Sequence, residues 1–567
     1  MAGIRLHWQP VDGAGHPLDR GMMSASEASL LTINTLSIGL PDGADRVRAV
    51  DALSLTVAAG EIVCVVGESG SGKSVTAQAV MGLLPPQLPV MGGDIHFQGQ
   101  NLLALSARQR QSVNGASIGM IFQEPLASLN PVYRVGAQID EALRLHSTMS
   151  NGERRARVIE LLDQVRLPDP KAILASYPHQ LSGGQCQRVM IAIALALDPK
   201  LLIADEPTTA LDVTTQARIL ALISDLRTRT GAGVLFITHD FGVVADIADR
   251  VVVMEQGKVV EAGETSDLLG RPQHPYTRAL LASVPRGRPK SIARTANEQA
   301  APVLEAKGVS KVYAPRGRLF SGGSGIKALD RVDLALSRGE TVGLVGESGS
   351  GKSTLARCML RLEQPDGGQL TLDGSDFARL QGARLRQVRQ RVQIVFQDPY
   401  TALNARQKIA DAIAEGPLIH GLDRPTALAR AAELLALVGL PPNAADRFPH
   451  QFSGGQRQRI CIARALALEP DVLVADEAVS ALDVSIQAQI IGLLADTQAR
   501  LGFALLFITH DLRLAAELCD RIVVMKAGQI VEQGPTAAVF ERPQATYTRT
   551  LLAAIPGQRH FGRTLTE

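Results

Sequence analysis

Two eight-residue stretches of the chain have the residue types and spacing of phosphate-binding loops. The first, Gly67–Ser74, lies between two runs, Glu61–Val66 and Val75–Leu84, which we predict to be a buried strand and a helix. In such a loop, glycines let backbone N–H groups point at phosphate oxygens, and the helix N-terminus adds partial positive charge. A lysine then reaches the β- and γ-phosphates, and a serine hydroxyl binds Mg²⁺. The alternative, a glycine-rich turn without a ligand, does not account for the complete pattern in this context.

The second loop, Gly346–Ser353, shows that the chain is internally repeated. Lys73 and Lys352 are 279 positions apart (352 − 73), and Ser182 and Ser453 are 271 apart (453 − 182). Five motifs recur in the same order, which indicates a duplicated domain with a few residues lost from surface loops. The residues predicted to bind phosphate are Gly67, Glu68, Ser69, Gly70, Ser71, Gly72, Lys73 and Ser74, and Gly346, Glu347, Ser348, Gly349, Ser350, Gly351, Lys352 and Ser353.

An apolar run in each copy ends in two carboxylates, Asp205-Glu206 and Asp476-Glu477. We expect the aspartates to hold Mg²⁺ together with the hydroxyls of Ser74 and Ser353. The glutamates would polarise the attacking water as general bases. Alone, such a pair is more often a solvated strand end, but the phosphate loop upstream favours the catalytic interpretation.

A glutamine and a histidine recur in each copy. His239 and His510 each close an apolar run, and we expect both to contact the γ-phosphate region, although a lone histidine there is more often structural. Gln123 and Gln397 can bind metal or water and report the nucleotide state to a partner protein.

A serine with two glycines precedes a further predicted helix in each copy, Cys186–Leu197 and Arg457–Leu468. Such a helix start is a second anion-binding surface, so the second surface is expected to serve a nucleotide held by the other domain. Its residues are Ser182, Gly183, Gly184, Gln185, Ser453, Gly454, Gly455 and Gln456.

Length and composition limit the classes of protein that fit. The 567 residues exceed one core; 46% are hydrophobic, 20% are charged and the net charge is +2, which gives no argument for a nucleic-acid partner. The sequence contains neither an apolar run of membrane-spanning length nor an N-terminal signal pattern, so we expect a cytoplasmic protein. The five cysteines lie apart and are expected to be small buried hydrophobes.

The repeat predicts an α/β chain with two large domains. We expect a loose tail at residues 1–29, a first domain at 30–284, a linker at 285–302 and a second domain with a C-terminal extension at 303–567. The linker is rich in Arg, Lys and Pro and is too short for a large inserted domain.

Together these motifs resemble those of a tandem ATP-binding-cassette (ABC) ATPase, from about Leu30 to Pro556. The resemblance implies two P-loop NTPase domains, each with a helical subdomain, packed head to tail, with ATP and Mg²⁺ bound between them. Walker A of one domain then faces the signature of the other. Gly67–Ser74 would be completed by Ser453–Gln456, and Gly346–Ser353 by Ser182–Gln185.

Further motifs resemble those of the oligopeptide/dipeptide importer ATPases: Tyr177–Gln180, Phe448–Gln451, Ala210–Ala217, Ala481–Ala488 and His274–Leu281, the last without its His-Pro in the second copy. This resemblance implies a peripheral energy-coupling subunit at the cytoplasmic face of the inner membrane. Its partners would be two transmembrane permease subunits, docked near Gln123 and Gln397, and indirectly an extracytoplasmic solute-binding protein.

Some positions depart from the family pattern. Tyr313 fits an aromatic residue that stacks on adenine, whereas Leu40 takes its place in the first domain, so we expect weaker nucleotide binding there. Cys186 stands where the second signature has an arginine, and Ala478 where the first copy has Pro207. Both catalytic glutamates remain, so two hydrolysis-competent sites are expected. Without a cysteine cluster, no iron–sulfur site is expected.

Other functions remain open at this point. A soluble tandem ABC protein acting on ribosomes or DNA is the main alternative, but the proline-containing linker disfavours a long helix. No coiled-coil or zinc insertion is visible. The subfamily motifs argue against an exporter. The solute stays open among peptides, glutathione, peptide-like antibiotics and nickel chelates.

Overall fold

The computed structural model describes residues 29–44, 46–208, 211–289, 301–313, 325–480 and 482–561. The predicted tail up to residue 28, most of the predicted linker, and Ala210 and Ala481 lie outside the described residues. Within these ranges, the two sequence repeats fold into two α/β domains of the same architecture.

The first domain contains two sheets and a group of helices. Its strands are β1 (Ser29–Gly39), β2 (Arg48–Ala58), β3 (Ile62–Val66), β4 (Val90–Phe97), β5 (Gln100–Asn101), β6 (Ile118–Ile121), β7 (Leu201–Asp205), β8 (Gly233–Ile237), β9 (Arg250–Glu255) and β10 (Lys258–Glu264). Its helices are α1 (Lys73–Met81), α2 (Ala107–Val113), α3 (Pro125–Ser128), α4 (Val135–His146), α5 (Asn151–Gln164), α6 (Pro170–Ala175), α7 (Gly183–Ala194), α8 (Val213–Thr230), α9 (Phe241–Ile247), α10 (Thr265–Gly270) and α11 (Pro275–Ala282), with 3₁₀ turns at Leu102–Ala104 and Pro178–Gln180.

The second domain repeats this order. Its strands are β11 (Leu304–Tyr313), β12 (Ile326–Leu336), β13 (Thr341–Val345), β14 (Gly367–Leu372), β15 (Ser375–Asp376), β16 (Val392–Val395), β17 (Val472–Asp476), β18 (Ala504–Ile508), β19 (Arg521–Lys526) and β20 (Gln529–Pro535). Its helices are α12 (Lys352–Met359), α13 (Gly382–Arg391), α14 (Pro399–Ala402), α15 (Ile409–Ile419), α16 (Arg424–Leu437), α17 (Gly454–Leu466), α18 (Val484–Leu501), α19 (Leu512–Leu518), α20 (Thr536–Glu541), α21 (Thr546–Ala553) and α22 (Gln558–Phe561), with 3₁₀ turns at Pro442–Asp446 and Pro449–Gln451.

The catalytic sheet of each domain has six strands, in the order β10-β9-β3-β8-β7-β6 and β20-β19-β13-β18-β17-β16. All neighbours pair in parallel except β9 with β10 and β19 with β20. The central strands are wholly buried apolar runs, as expected of parallel strands covered on both faces. The phosphate loop and the acidic pair therefore emerge at the same carboxyl edge of the sheet.

The predicted helices begin earlier than expected, which corrects three sequence-based bounds. The helix after the first phosphate loop spans Lys73–Met81 and ends where Gly82 takes a left-handed conformation. The signature helices begin at Gly183 and Gly454, because Ser182 and Ser453 each form a capping box with the glutamine three residues on. The signature glycines thus belong to the first helical turn.

The two domains bury apolar side chains in each other. Val484 at the start of α18 packs with the core of the first domain, and Val213 at the start of α8 packs with the core of the second. Elsewhere between the two domains, the Asp246 carboxylate accepts a hydrogen bond from the N–H of Gly557 at 2.9 Å. In the same way, the Glu517 carboxylate accepts the N–H of Arg286 at 2.6 Å. The exchange is reciprocal, so the domains are related by an approximate two-fold axis.

Candidate functional site

Each phosphate loop has a backbone that only glycine can adopt at its first position. Gly67 has φ 152° and Gly346 the same value, and a Cβ there would lie 2.2 Å and 2.3 Å from the carbonyl oxygens of Met254 and Met525. These carbonyls belong to the neighbouring strands β9 and β19. The loop is therefore held tightly against the sheet at the point where it leaves it.

The loop lysines are buried and lie folded over their own loops. Lys73 Nζ donates to the carbonyl oxygens of Gly67 at 2.7 Å and Glu68 at 2.8 Å. Lys352 makes the same two contacts at 2.8 Å in the second domain. Burial lowers the pKa of both lysines, and the charges of Glu206 and Glu477 oppose that change. Each ammonium group is thus already placed at the loop that must bind phosphate.

A serine and an aspartate form the candidate Mg²⁺ site of each domain. The Ser74 hydroxyl donates to Asp205 at 2.9 Å, and the Ser353 hydroxyl donates to Asp476 at 3.1 Å. Burial raises the pKa of Asp205 to about 6 and also raises the pKa of Asp476. Hydroxyl and carboxylate oxygens are the hard ligands that Mg²⁺ prefers, so these pairs fit the ion.

The predicted catalytic groups converge on the glutamate after the acidic strand in the first domain. Gln123 Nε2 donates to Glu206 Oε2 at 3.2 Å, and His239 Nδ1 lies 3.4 Å from Glu206 Oε1. Burial acts to lower the pKa of His239, but the Glu206 carboxylate outweighs it, so the pKa lies above its ordinary value. Glu206 also has φ 47°, a left-handed conformation that is costly for a residue with a side chain.

The second domain repeats this arrangement. Gln397 Nε2 donates to Glu477 at 2.8 Å, and His510 Nδ1 lies 3.8 Å from the same carboxylate. Burial acts to raise the pKa of Glu477, but His510 outweighs it and the pKa is lowered. Glu477 has φ 48°, so both glutamates are held in the same strained backbone geometry. The structure thus brings the same glutamine–glutamate–histidine group together twice.

The two signatures contact different side chains, which explains one departure from the family pattern. Cys186 is buried, and its thiol lies 3.4 Å from the Pro178 carbonyl oxygen. Its counterpart Arg457 lies over the ring of Tyr400, 4.1 Å from its centroid. The position of Tyr400 is occupied by Leu126 in the first domain. The arginine and the aromatic residue therefore occur as a pair, and the first domain lacks both.

The second departure from the family pattern is Ala478, which stands where the first domain has Pro207. The two domains also differ in the hydrogen bonds of a nearby glutamine. Gln187 Nε2 donates to the Pro207 carbonyl oxygen at 2.8 Å. Gln458, the equivalent residue, is 0% exposed, and among the described residues neither atom of its amide has a partner. A buried amide without partners destabilises the folded state.

We therefore expect opposite results from one substitution at these two sites. Gln187→Leu should lower the free energy of unfolding by about 1–3 kcal/mol because the Pro207 carbonyl loses its donor. Gln458→Leu should be neutral or stabilising because it removes an unsatisfied buried group. Thermal unfolding of both variants beside the unsubstituted chain measures this. Equal losses of melting temperature would contradict it.

The interface adds contacts that the motifs alone did not predict. Asp483 Oδ1 accepts the N–H of Ser69, in the other domain's phosphate loop, at 2.9 Å. Asp212 accepts the N–H of Ser348 in the reciprocal contact, which contributes to lowering its pKa against the effect of burial. Ser485 and Thr214, two residues after these aspartates, donate to the side chains of Glu68 and Glu347. Asp212 and Asp483 belong to the stretches Ala210–Ala217 and Ala481–Ala488, which the sequence marks only as family motifs.

A cavity of about 460 Å³ lies beside the first catalytic group. It is lined by Gln123, Glu206 and His239 of the first domain and by Asp483 of the second. Gly183, from the first signature, lines it as well. The signature serines themselves hydrogen-bond within their own helix starts. Completion of each phosphate loop by the opposite signature therefore stays a prediction.

The proposed adenine contact differs between the domains as the sequence indicated. Leu31 of β1 and Leu304 of β11 occupy equivalent places in the pairing with β4 and β14. Counted the same number of residues along from these two leucines, Leu40 of the first domain is equivalent to Tyr313 of the second. Tyr313 is 36% exposed, and Lys311 Nζ lies 5.7 Å from its ring centroid. Leu40 instead packs against its own core. Stacking on adenine stays a prediction.

All five cysteines are buried, and within the described part of the chain none of them forms a disulfide bond. Burial raises the pKa of four thiols, those of Cys64, Cys186, Cys358 and Cys461, to about 11 for the last two, so these four stay protonated. They behave as the small apolar side chains predicted from the sequence.

Comparison with known proteins gives one family. The model of the ABC transporter family matches residues 50–209 and 329–480, and that of the oligopeptide/dipeptide transporter C-terminal region matches residues 260–320 and 531–566. The glutathione import ATP-binding proteins GsiA of Shigella dysenteriae and Escherichia coli K12 are each 48% identical over 93% of this chain and 90% of theirs. That of Salmonella typhimurium is 48% identical over 93% of this chain and 89% of its own. A solved dimeric bacterial ABC transporter cassette matches 41% of this chain and 98% of its own, at 30% identity and TM-score 0.38.

Proposed function

Because this chain belongs to the ABC transporter ATP-binding proteins that carry the oligopeptide/dipeptide C-terminal region, we propose that it is the ATPase subunit of an importer for peptides or peptide-like solutes. One observation carries the proposal. In each domain, the loop lysine, the serine–aspartate pair and the glutamine–glutamate–histidine group lie at one edge of one sheet. These are the parts that phosphoryl transfer to water needs.

Each residue of the site has a separate role in ATP hydrolysis. Lys73 moves from the loop carbonyls to the β- and γ-phosphates, while loop N–H groups hold the phosphate oxygens. Ser74 and Asp205 would hold Mg²⁺, which neutralises charge on the phosphates when bound. Glu206 accepts the proton of the attacking water, and Gln123 and His239 orient its carboxylate. The corresponding residues of the second domain act in the same way.

We propose that both ATP sites are composite, each phosphate loop being completed by the signature of the other domain. The reciprocal contacts of Asp483 with Ser69 and of Asp212 with Ser348 support this. They bring a loop of each domain onto the phosphate loop of the other. ATP bound at both sites would then hold the domains together, and hydrolysis would release them.

The partners that this family implies are transmembrane permease subunits, with the ATPase lying peripherally at the inner membrane. Among the described residues, no helix has both the length and the apolar character to cross a bilayer. Leu126 and Tyr400, close to Gln123 and Gln397, are 60% and 61% exposed. We propose that this exposed apolar surface receives two permease subunits and that an extracytoplasmic solute-binding protein supplies the solute. We propose neither a nucleic-acid partner nor an iron–sulfur cluster.

Glutathione is one member of the proposed solute class. The relatives are named for glutathione import, and glutathione is a small peptide. The nucleotide-binding domains of such a transporter do not contact the solute, so we propose the class, peptides and peptide-like solutes, and leave the member to experiment.

Reconstitution tests the proposed function. The chain is co-expressed with the two hydrophobic subunits encoded nearest to it, purified as a complex, and placed in vesicles with ATP. We expect co-purification, and ATP turnover that rises when the solute-loaded binding protein is added. Co-sedimentation with ribosomes or DNA, without binding to membrane subunits, would instead support the soluble alternative.

The difference between Leu40 and Tyr313 predicts unequal ATP affinities. Lys73→Ala leaves only the second site competent, and Lys352→Ala leaves only the first. We expect the Lys73→Ala variant to bind ATP about fivefold more tightly, the effect of about 1 kcal/mol of aromatic stacking. Titration calorimetry measures both. Leu40→Tyr, added to Lys352→Ala, should recover part of the difference, and equal affinities of the single variants would refute the prediction.

A further inference from the structure

The geometry points to Tyr276 and Tyr547 as positioning residues of the two phosphate loops. Each phenol oxygen accepts the backbone N–H of the loop glutamate at 3.1 Å, Glu68 in the first domain and Glu347 in the second. The phosphate-loop motif itself contains no such residue. Each tyrosine lies about 200 residues further along the chain, on the short helices α11 and α21. The inference rests on the proposed function, because it concerns the ATP that these loops bind.

The glutamate bound by each tyrosine forms hydrogen bonds with three separate segments of the chain. In the first domain, the N–H of Glu68 donates to Tyr276, its carbonyl oxygen accepts from Lys73 at 2.8 Å, and its carboxylate accepts from Ser485 of the other domain. All three kinds of polar group on this residue therefore have partners. A change at any one of the three acts on the same peptide unit of the phosphate loop.

The second domain has the same arrangement around Glu347. Its N–H donates to Tyr547, its carbonyl oxygen accepts from Lys352 at 2.8 Å, and its carboxylate accepts from Thr214. Both domains therefore place a phenol oxygen against the backbone N–H of the equivalent loop glutamate. Because the contact recurs in both domains, we infer that it is part of the architecture of these loops.

The position of each tyrosine is set by a glutamate on the last strand. Glu261 accepts the N–H groups of Gln273 and His274 at 2.7 and 3.0 Å, just before Tyr276. Glu532 does the same for Gln544 and Ala545, at the same distances, just before Tyr547. The second copy lacks the His-Pro of this motif, yet its tyrosine still contacts the phosphate loop. The hydroxyl, rather than the His-Pro, is the part that both copies retain.

Both phenols are neutral at physiological pH. Burial raises the pKa of Tyr276 and of Tyr547 to about 12. Lys526 Nζ lies 4.7 Å from the ring centroid of Tyr547, while the equivalent residue of the first domain is Glu255. A phenylalanine keeps the ring and its contact with Lys526. Tyrosine-to-phenylalanine substitution therefore removes only the hydroxyl in both domains.

The contact matters for ATP because of what the lysine must do. Lys73 donates to the Glu68 carbonyl oxygen and leaves it on reaching a phosphate. The phenol oxygen of Tyr276 fixes the other side of Glu68 throughout, so the loop keeps its shape when the lysine moves. Without the hydroxyl, we expect ATP to bind about threefold to tenfold more weakly at that site, the size of one net hydrogen bond. Turnover at saturating ATP should change less than twofold.

The test uses full-length chains in which one site is disabled. Tyr276→Phe is compared on the Lys352→Ala background, where the first site binds ATP, and on the Lys73→Ala background, where only the second does. We expect weaker ATP binding on the first background and no change on the second, and the converse for Tyr547→Phe. Tyr133→Phe is the matched control, because Tyr133 is 57% exposed and lies in another region of the domain.

A double-mutant cycle separates positioning from general destabilisation. Tyr276→Phe and Ser485→Ala act on the same Glu68, so their effects on ATP affinity should be non-additive. Tyr276→Phe and Thr214→Ala act on different loops and should be additive. The inference is overturned if the phenylalanine variants bind ATP as tightly as their backgrounds, or if they lower only the melting temperature measured without ATP. If the unsubstituted chain bound no ATP, the proposed function would fail, and the role of the tyrosines with it.

Discussion

Glu206→Gln and Glu477→Gln are each expected to remove at least half of the ATP turnover, and the double variant is expected to lose about a hundredfold or more. The amide keeps the size and hydrogen-bonding capacity of the side chain but cannot accept the proton of the attacking water. The structure places the same groups around both carboxylates, Gln123 with His239 and Gln397 with His510. Phosphate release from ATP measures the effect, with ATP binding followed in parallel.

ATP binding distinguishes loss of catalysis from loss of the fold. Since glutamine keeps the shape of the side chain and can keep the contacts with Gln123 and Gln397, we expect both variants to bind ATP as well as the unsubstituted chain. Glu141→Gln and Glu541→Gln, both exposed, are matched controls in the two domains. If Glu206→Gln left turnover unchanged while Glu477→Gln abolished it, only the second site would be catalytic, and the expectation of two sites would be wrong.

The parts of the site that sequence predicts are those with short-range signals. The strand that ends at Asp205 is a buried apolar run, and the phosphate loop after Val66 has its full pattern of glycines. Both could be located from neighbouring residues alone. The start of the signature helix at Gly183 was missed by three residues because a capping box, made by Ser182 and Gln185, decides it.

The contacts that sequence did not predict join residues far apart in the chain. Glu68 and Tyr276 are 208 residues apart, and Ser69 and Asp483 are 414 apart. A tyrosine on a short helix has no local feature that marks it as a partner of a loop N–H. Only the docking of the C-terminal helix, and of one domain on the other, creates these pairs. The one available signal was the recurrence of a Tyr-Thr-Arg motif in both copies.

The domain interface also contains an ion pair whose arginine comes from the second domain and has no counterpart in the first. The guanidinium of Arg513 donates to both carboxylate oxygens of Asp240 at 3.1 Å and to Asp511 at 2.9 Å. The equivalent position of the first domain is Gly242, and a Cβ there would lie 2.6 Å from Arg513 Nη1. The small residue in one copy therefore makes room for the arginine of the other, which then serves the aspartates of both domains.

Removing this arginine should destabilise the docked domains strongly. Arg513→Met would leave Asp240 and Asp511, whose side chains are only 20% and 21% exposed, without their counter-charge. The cost for a fully buried pair is about 3–5 kcal/mol, so we expect a loss at or below that range. Burial acts to raise the pKa of Asp240, but the Arg513 charge outweighs it and holds the pKa below its ordinary value. The contribution of the pair is therefore present above the ordinary carboxyl pKa and is lost as the pH falls through the lowered one. Urea unfolding at neutral pH measures the loss.

The pattern of partial rescue identifies the buried charge as the cause. Adding Asp240→Asn to Arg513→Met removes one unpaired carboxylate and should recover part of the lost stability. Lowering the pH towards 4.5 should narrow the difference between Arg513→Met and the unsubstituted chain, because carboxylates without the arginine take up protons more readily. Arg513→Lys keeps the charge but not the forked geometry, so we expect an intermediate loss. If Arg513→Met alone unfolded at the same urea concentration as the unsubstituted chain, the ion pair would not stabilise the interface.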